Sequence, residues 1–172
     1  DPFTTLLLDA SPSEARHVVN VADTLSVTGS NPNPHLWYDV PRVPAVVSAI
    51  SSAFGAADPT NASYYAANAR RVTKSLRPLL NAIAAIKSAD AGTPVAFTER
   101  VPGYLLAACG LTVVTPSGFA QSVEDGTDPS PSDIAAMRAI IGAGRAHVLF
   151  YNEQATRPIT GALKSLADGH QI

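Results

Sequence analysis

A chain of 172 residues with 46% apolar and 15% charged side chains can bury one good core or two small lobes, and it is too apolar for a disordered polymer. Its formal net charge of −2 lacks the basic excess of a nucleic-acid surface and leaves room for a cationic ligand. A single cysteine, Cys109, excludes an internal disulfide, a zinc ribbon or a redox pair, and no run approaches the eighteen apolar residues of a membrane span. The start, Asp1-Pro2-Phe3, lacks the basic and apolar regions of a secretory signal, as a trimmed secreted protein also would.

Phe3, Leu6, Leu7 and Ala10 recur at helical spacing, so residues 2–10 read as a short helix broken by Ser11-Pro12-Ser13. His17 to Ala22 is β-branched and apolar and reads as a strand. Thr28 to Pro34 is a Gly/Ser/Asn/Pro loop. Val43, Val46, Val47, Ile50 and Phe54 share a face, which predicts a helix over 41–54 with Pro41 in its first turn. Asp58-Pro59-Thr60 then opens a second helix, with Asn61 as a capping residue rather than a glycosylation site. Its apolar positions, Val72, Leu76, Leu79, Leu80, Ile83 and Ile86, oppose Arg70, Lys74, Arg77 and Asn81. From about 61 to 89 this rod is roughly 40–45 Å long at ~1.5 Å per residue. Pro78 removes a backbone donor and clashes with the Lys74 carbonyl, which predicts a kink.

The remainder alternates. Pro94–Thr98 reads as a strand, Val101–Cys109 as a helix closed by Gly110, and Leu111–Thr115 as a strand. Ser117–Pro129 reads as a loop. Ser130–Ala143 is a helix capped by Ser130, with Pro131 first and Asp133 completing a capping box. Ala146–Tyr151 is a strand and Pro158–Ala167 a last helix. Such alternation with short connections predicts an α/β fold, a parallel sheet covered by helices.

Ligands of open parallel sheets sit at the carboxyl ends of strands. Glu99 follows one strand directly, and Asn152 and Glu153 follow another. Two carboxylates on one rim suit a hard or borderline cation. From this stretch alone the plainer reading is that Glu99 caps the next helix, where a carboxylate near an N-terminus is favourable. His35 lies in a Pro-flanked loop beside Trp37 and Tyr38, and neutral imidazole is the commonest metal ligand. His17, His147 and His170 are read as surface residues, and Cys109 as a buried helix end. There is no nucleophile elbow, phosphate-binding loop or dinucleotide fingerprint.

Order and pattern resemble one family, the TroA-like metal-binding solute receptors of ABC importers. Asn33-Pro34-His35-Leu36-Trp37-Tyr38-Asp39 is similar to its "D/N-P-H-x-W" segment, whose histidine binds metal. Asp58-Pro59-Thr60-Asn61-Ala62-Ser63-Tyr64-Tyr65 is similar to the opening of its long backbone helix. Phe97-Thr98-Glu99-Arg100-Val101-Pro102-Gly103-Tyr104 resembles the segment with His or Glu third and Gly-Tyr following, where the third residue is a ligand. Asp128 to Ile134 resembles the family's "P-S-x-x-D-I/L" helix start, and Val148–Glu153 its last identifiable strand.

The resemblance implies α/β lobes joined by one long kinked helix. Residues 1–57 would be the end of an N-terminal lobe with the metal loop, 58–90 the connecting helix and 91–172 an incomplete C-terminal lobe. It implies His35 and Glu99 as metal ligands and Glu153 near the site. The family's first histidine ligand and its later aspartate lie in regions that this sequence does not contain. The implied protein is an extracytoplasmic receptor, periplasmic or a cell-surface lipoprotein. It is a monomer that captures manganese, zinc or iron, hands it to an ABC transporter permease and catalyses nothing. Glutamate at position 99 shifts the ligand set toward oxygen, which favours manganese or iron, whereas affinity order alone favours zinc. Two other readings compete: an α/β hydrolase using Glu99 and Glu153 as acid and base, and an adhesion or interaction module that has lost its metal.

Overall fold

The computed structural model describes residues 2–13 and 16–172. The Asp1 start and the Phe3 side chain of the first helical stripe lie outside what is described. Helix α1 spans Pro2–Ala10 as expected, but Leu6 and Leu7 are exposed. No strand forms over 17–22. Asn20 Oδ1 accepts from the backbone nitrogens of Ala22 and Asp23 at 2.9 and 3.4 Å and starts the short helix α2, Val21–Thr24. A side chain that caps competes with strand pairing, and here Val18, 62% exposed, has no sheet to join.

Leu36–Tyr38 and Val40–Arg42 are 3₁₀ turns leading into α3, Val43–Ala57. The segment Val40–Ala57, with mean hydropathy 1.3, is long and apolar enough by length and composition to cross a membrane. The expectation of no such stretch rested on uninterrupted apolar runs, and this one is interspersed with Ser, Pro and Arg42. Helix α3 packs along α4, Ala62–Ser75. The contact is close at Gly55, where a Cβ would stand 3.3 Å from that of Ala62, and Phe54 stacks on Tyr65 at 5.3 Å.

Asp58 organises the turn between these helices. Its Oδ2 accepts from Asn61 Nδ2 at 2.7 Å and Tyr65 Oη at 2.9 Å, and those donors hold its carboxyl below the usual range. Asn61 is the N-cap residue by position but bonds Asp58 rather than the α4 backbone, so its expected capping bond is not made. The rod is divided at Leu76, which joins α4 to α5, Arg77–Asp90, with helical torsions of −75° and −15°. Pro78 has no N–H to offer the Lys74 carbonyl, which accounts for a joint at this point. Of the rod's apolar stripe only Ile83 is buried, and Val72, Leu79 and Ile86 are exposed.

The sheet has the order β2-β1-β3, all parallel: β1 Pro94–Phe97, β2 Thr112–Val113 and β3 Leu149–Phe150. Alternation along β1 sends Ala96 to one face and Val95 and Phe97 to the other. Ala96 packs in a core with Phe119, Met137, Ile141 and Leu163, and Val95 and Phe97 pack with Leu106 and Ala120. These side chains come from α6 (Gly103–Ala108), α7 (Ser117–Glu124), α8 (Pro131–Gly142) and α9 (Pro158–Gly169).

Helix α7 occupies part of the segment read as a loop. Phe119, Ala120 and Val123 form one short buried face, too brief to show a period within Ser- and Gly-rich sequence. Ser130 caps α8 as expected, accepting from Asp133 N at 3.1 Å. The reciprocal half of the capping box is absent: the Asp133 carboxylate accepts from the Ser130 hydroxyl at 2.7 Å instead. A third cluster, Val40 with Ile83 and Cys109, anchors the segment following His35 against α5 and the end of α6. Burial raises the Cys109 thiol's pKa, which disfavours the thiolate.

Candidate metal centre

Central strand β1 is joined to β2 on one side and pairs with the later β3 on the other. The chain therefore changes direction at β1, and a crevice opens beyond its carboxyl end. The pairing ends at Phe97↔Phe150, with one further bond from Thr98 N to the Phe150 carbonyl at 3.0 Å, and Glu99 and Asn152 each follow two residues beyond the paired ends. Asn152 Nδ2 donates to Glu99 Oε1, and Asn152 Oδ1 accepts from Gln154 N at 2.9 Å, so the amide is oriented from both ends. Glu99 is only 9% exposed and makes no ion pair among the described residues. It does not cap α6, whose N-cap residue is Pro102 and which has no side-chain capping bond.

His35 reaches the same crevice from the loop before α3. Asn33 Nδ2 donates to the Arg100 carbonyl at 2.8 Å, which turns Asn33 Oδ1 toward His35. That oxygen accepts from His35 N at 3.1 Å and stands 2.7 Å from His35 Nδ1. An oxygen can only accept, so in the neutral ring Nδ1 carries the proton and Nε2 keeps the lone pair. This is the tautomer a metal would need, set by a neighbour in the way metal-ligating histidines are usually oriented.

The loop is stitched to the rim at several points. Tyr104 Oη donates to the Asn33 carbonyl at 3.0 Å, and Arg100 Nη1 to that of Asn31 at 3.3 Å. Arg100 also forms a two-pronged pair with Glu124 at 2.6 and 2.9 Å, and that carboxylate raises the guanidinium's pKa. Asn31 Nδ2 bonds Gln121 Oε1 at 2.8 Å.

His35 and Glu99 thus line one cavity of about 720 Å³, together with Trp37, Tyr151, Asn152 and Glu153. Trp37 meets the His35 ring edge-on at 5.2 Å and is 65% exposed. Among the described residues no three His, Cys, Asp or Glu side chains converge as a metal cage. Glu153 is an exposed wall residue, and His17, His147 and His170 are exposed elsewhere. The sequence reading missed the roles of Asn33 and Asn152. The one sequence signal for the second is its place just beyond the carboxyl end of a strand.

Comparison with solved structures places the fold. The solute-binding protein (SBP) FpvC of Pseudomonas aeruginosa, solved with Ni²⁺, superposes with TM-score 0.74 at 24% identity over 98% of this chain and 62% of its own. The metal-dependent lipoprotein YcdH of Bacillus subtilis gives 0.71 at 20% identity over 95% and 62%. A periplasmic metal-binding protein of Candidatus Liberibacter asiaticus gives 0.69 at 18% over 96% and 62%. The chain therefore spans a little under two thirds of the length of these proteins, and no curated protein sequence matches it. The helix-rich α/β architecture with a parallel sheet is that of TroA-like metal receptors. The model of a protein family described as the periplasmic component A of the zinc-uptake complex, ZnuA, matches residues 1–171, and the chain belongs to that family.

Proposed function

We propose that this chain is part of an extracytoplasmic receptor that captures a divalent transition metal and delivers it to an ABC permease. His35 Nε2 and Glu99 Oε2 are the metal-binding atoms. The observation that supports this best is the shared cavity, in which one amide fixes the imidazole tautomer and another holds the carboxylate. Cargo is manganese, iron or zinc, because imidazole and carboxylate together suit all three. Residues 1–57 belong to one lobe with its metal loop, 58–90 form the connecting helix and 91–172 the second lobe. Two protein ligands do not fill a tetrahedral or octahedral shell, so this chain binds weakly, with water completing the coordination.

Trp37 is the sole tryptophan and touches the His35 ring, so it reports on the site. Titration with Mn²⁺, Ni²⁺ and Zn²⁺ should give saturable changes in its fluorescence. A flat response to all three, with no heat by calorimetry, overturns the proposal. Asn33→Ala removes the hydrogen bond that sets the His35 tautomer and one of the loop's two ties to Arg100. We expect it to weaken metal binding by about 10–100-fold, the usual cost of losing a ligand's orienting partner. Unchanged affinity in the same titration would remove Asn33 from that role.

A further inference from the structure

We propose that Asn152 sets which cation this site prefers, by restricting Glu99 to one coordinating oxygen. The inference rests on the receptor reading above. Glu99 and Asn152 each lie two residues beyond the paired ends of β1 and β3, which brings the amide to the carboxylate. Gln154 N holds Asn152 Oδ1 at 2.9 Å, which commits Nδ2 to Glu99 Oε1. Glu99 Oε2 has no hydrogen-bond partner among the described residues, and no buried side-chain oxygen is left unsatisfied, so Oε2 is open to the cavity.

The amide takes one lone pair of Oε1 and fixes the carboxylate's orientation, so Oε2 is the better-placed oxygen for a cation and two-oxygen coordination is disfavoured. Zinc, with four short bonds, loses little, because one carboxylate oxygen is a usual share of its tetrahedral shell. Manganese takes more ligands and favours carboxylate and water oxygens, so it loses the second oxygen that an unpinned glutamate would supply. The amide therefore counteracts the shift toward oxygen that a glutamate at this position otherwise brings.

The test is calorimetric titration of Zn²⁺ and of Mn²⁺ into the wild-type chain, Asn152→Ala and Asn152→Leu. Asn152→Leu keeps nearly the size while removing the donor and adds neither charge nor ligand, so it serves if the alanine variant folds poorly. In both variants the ratio of zinc to manganese affinity should fall by about tenfold, the equivalent of one hydrogen bond to a charged group. An unchanged ratio, whether the two affinities stay put or fall together, assigns Asn152 a purely structural role and overturns the inference. If the wild-type chain binds neither metal, or binds both equally well after His35→Ala, the receptor reading itself fails and takes this inference with it.

Discussion

Replacing His35 or Glu99 by alanine is expected to weaken metal binding by at least about a hundredfold, since losing an orienting partner alone costs 10–100-fold and these side chains would donate the electrons. The two losses should not add. With one ligand gone the other is a lone imidazole or a lone carboxylate, and the double variant should bind little worse than either single one. Glu99→Gln is the sharper control. It keeps an oxygen for Asn152 and preserves the volume of a buried side chain, so the fold survives while the negative charge is lost. Calorimetry and Trp37 fluorescence would read the change. Wild-type affinity in His35→Ala or in Glu99→Gln would contradict the assignment of that residue.

Phe119→Ala is expected to destabilise the chain by about 3–5 kcal/mol, the usual cost of emptying a fully buried phenylalanine site. Phe119 is 0% exposed and sits with Met137, Ile141 and Leu163 against the Ala96 face of β1. Helix α7 carries both Phe119 and Glu124, and Glu124 holds Arg100 beside the rim. Loss of this anchor should therefore also loosen the loop around Asn31. For a domain of this size each kcal/mol lowers the melting temperature by about 2–4 °C, so a fall of roughly 6–20 °C is expected by circular dichroism. A loss below about 1 kcal/mol would show that α7 does not seal the core.

Strong local signals in the sequence found the elements with strong local causes. Pro131 after Ser130 marked α8, the apolar run 94–98 marked β1, and the helical spacing of Val43 to Phe54 marked α3. Elements decided by tertiary contact were harder to read. Helix α7 buries only a few side chains, and the β-branched run near Val18 found no neighbouring strand, so propensity misjudged both. The amphipathic stripe of the rod was legible, but its apolar face is largely exposed in this chain.

At the site, residue type and family pattern singled out His35 and Glu99, and both line one cavity. The amides that hold them were not legible in the same way. Asn33 acts across 67 residues on the Arg100 carbonyl, and Asn152 acts across 53 on Glu99. Such partners become visible only when strand register and loop path are known.

The most direct measurement is anomalous diffraction from crystals grown with Zn²⁺, recorded on either side of the zinc absorption edge. A single peak about 2.0–2.2 Å from both His35 Nε2 and Glu99 Oε2 is the predicted result. A metal bound elsewhere on the chain, with the space between those two atoms holding no anomalous density, would contradict it.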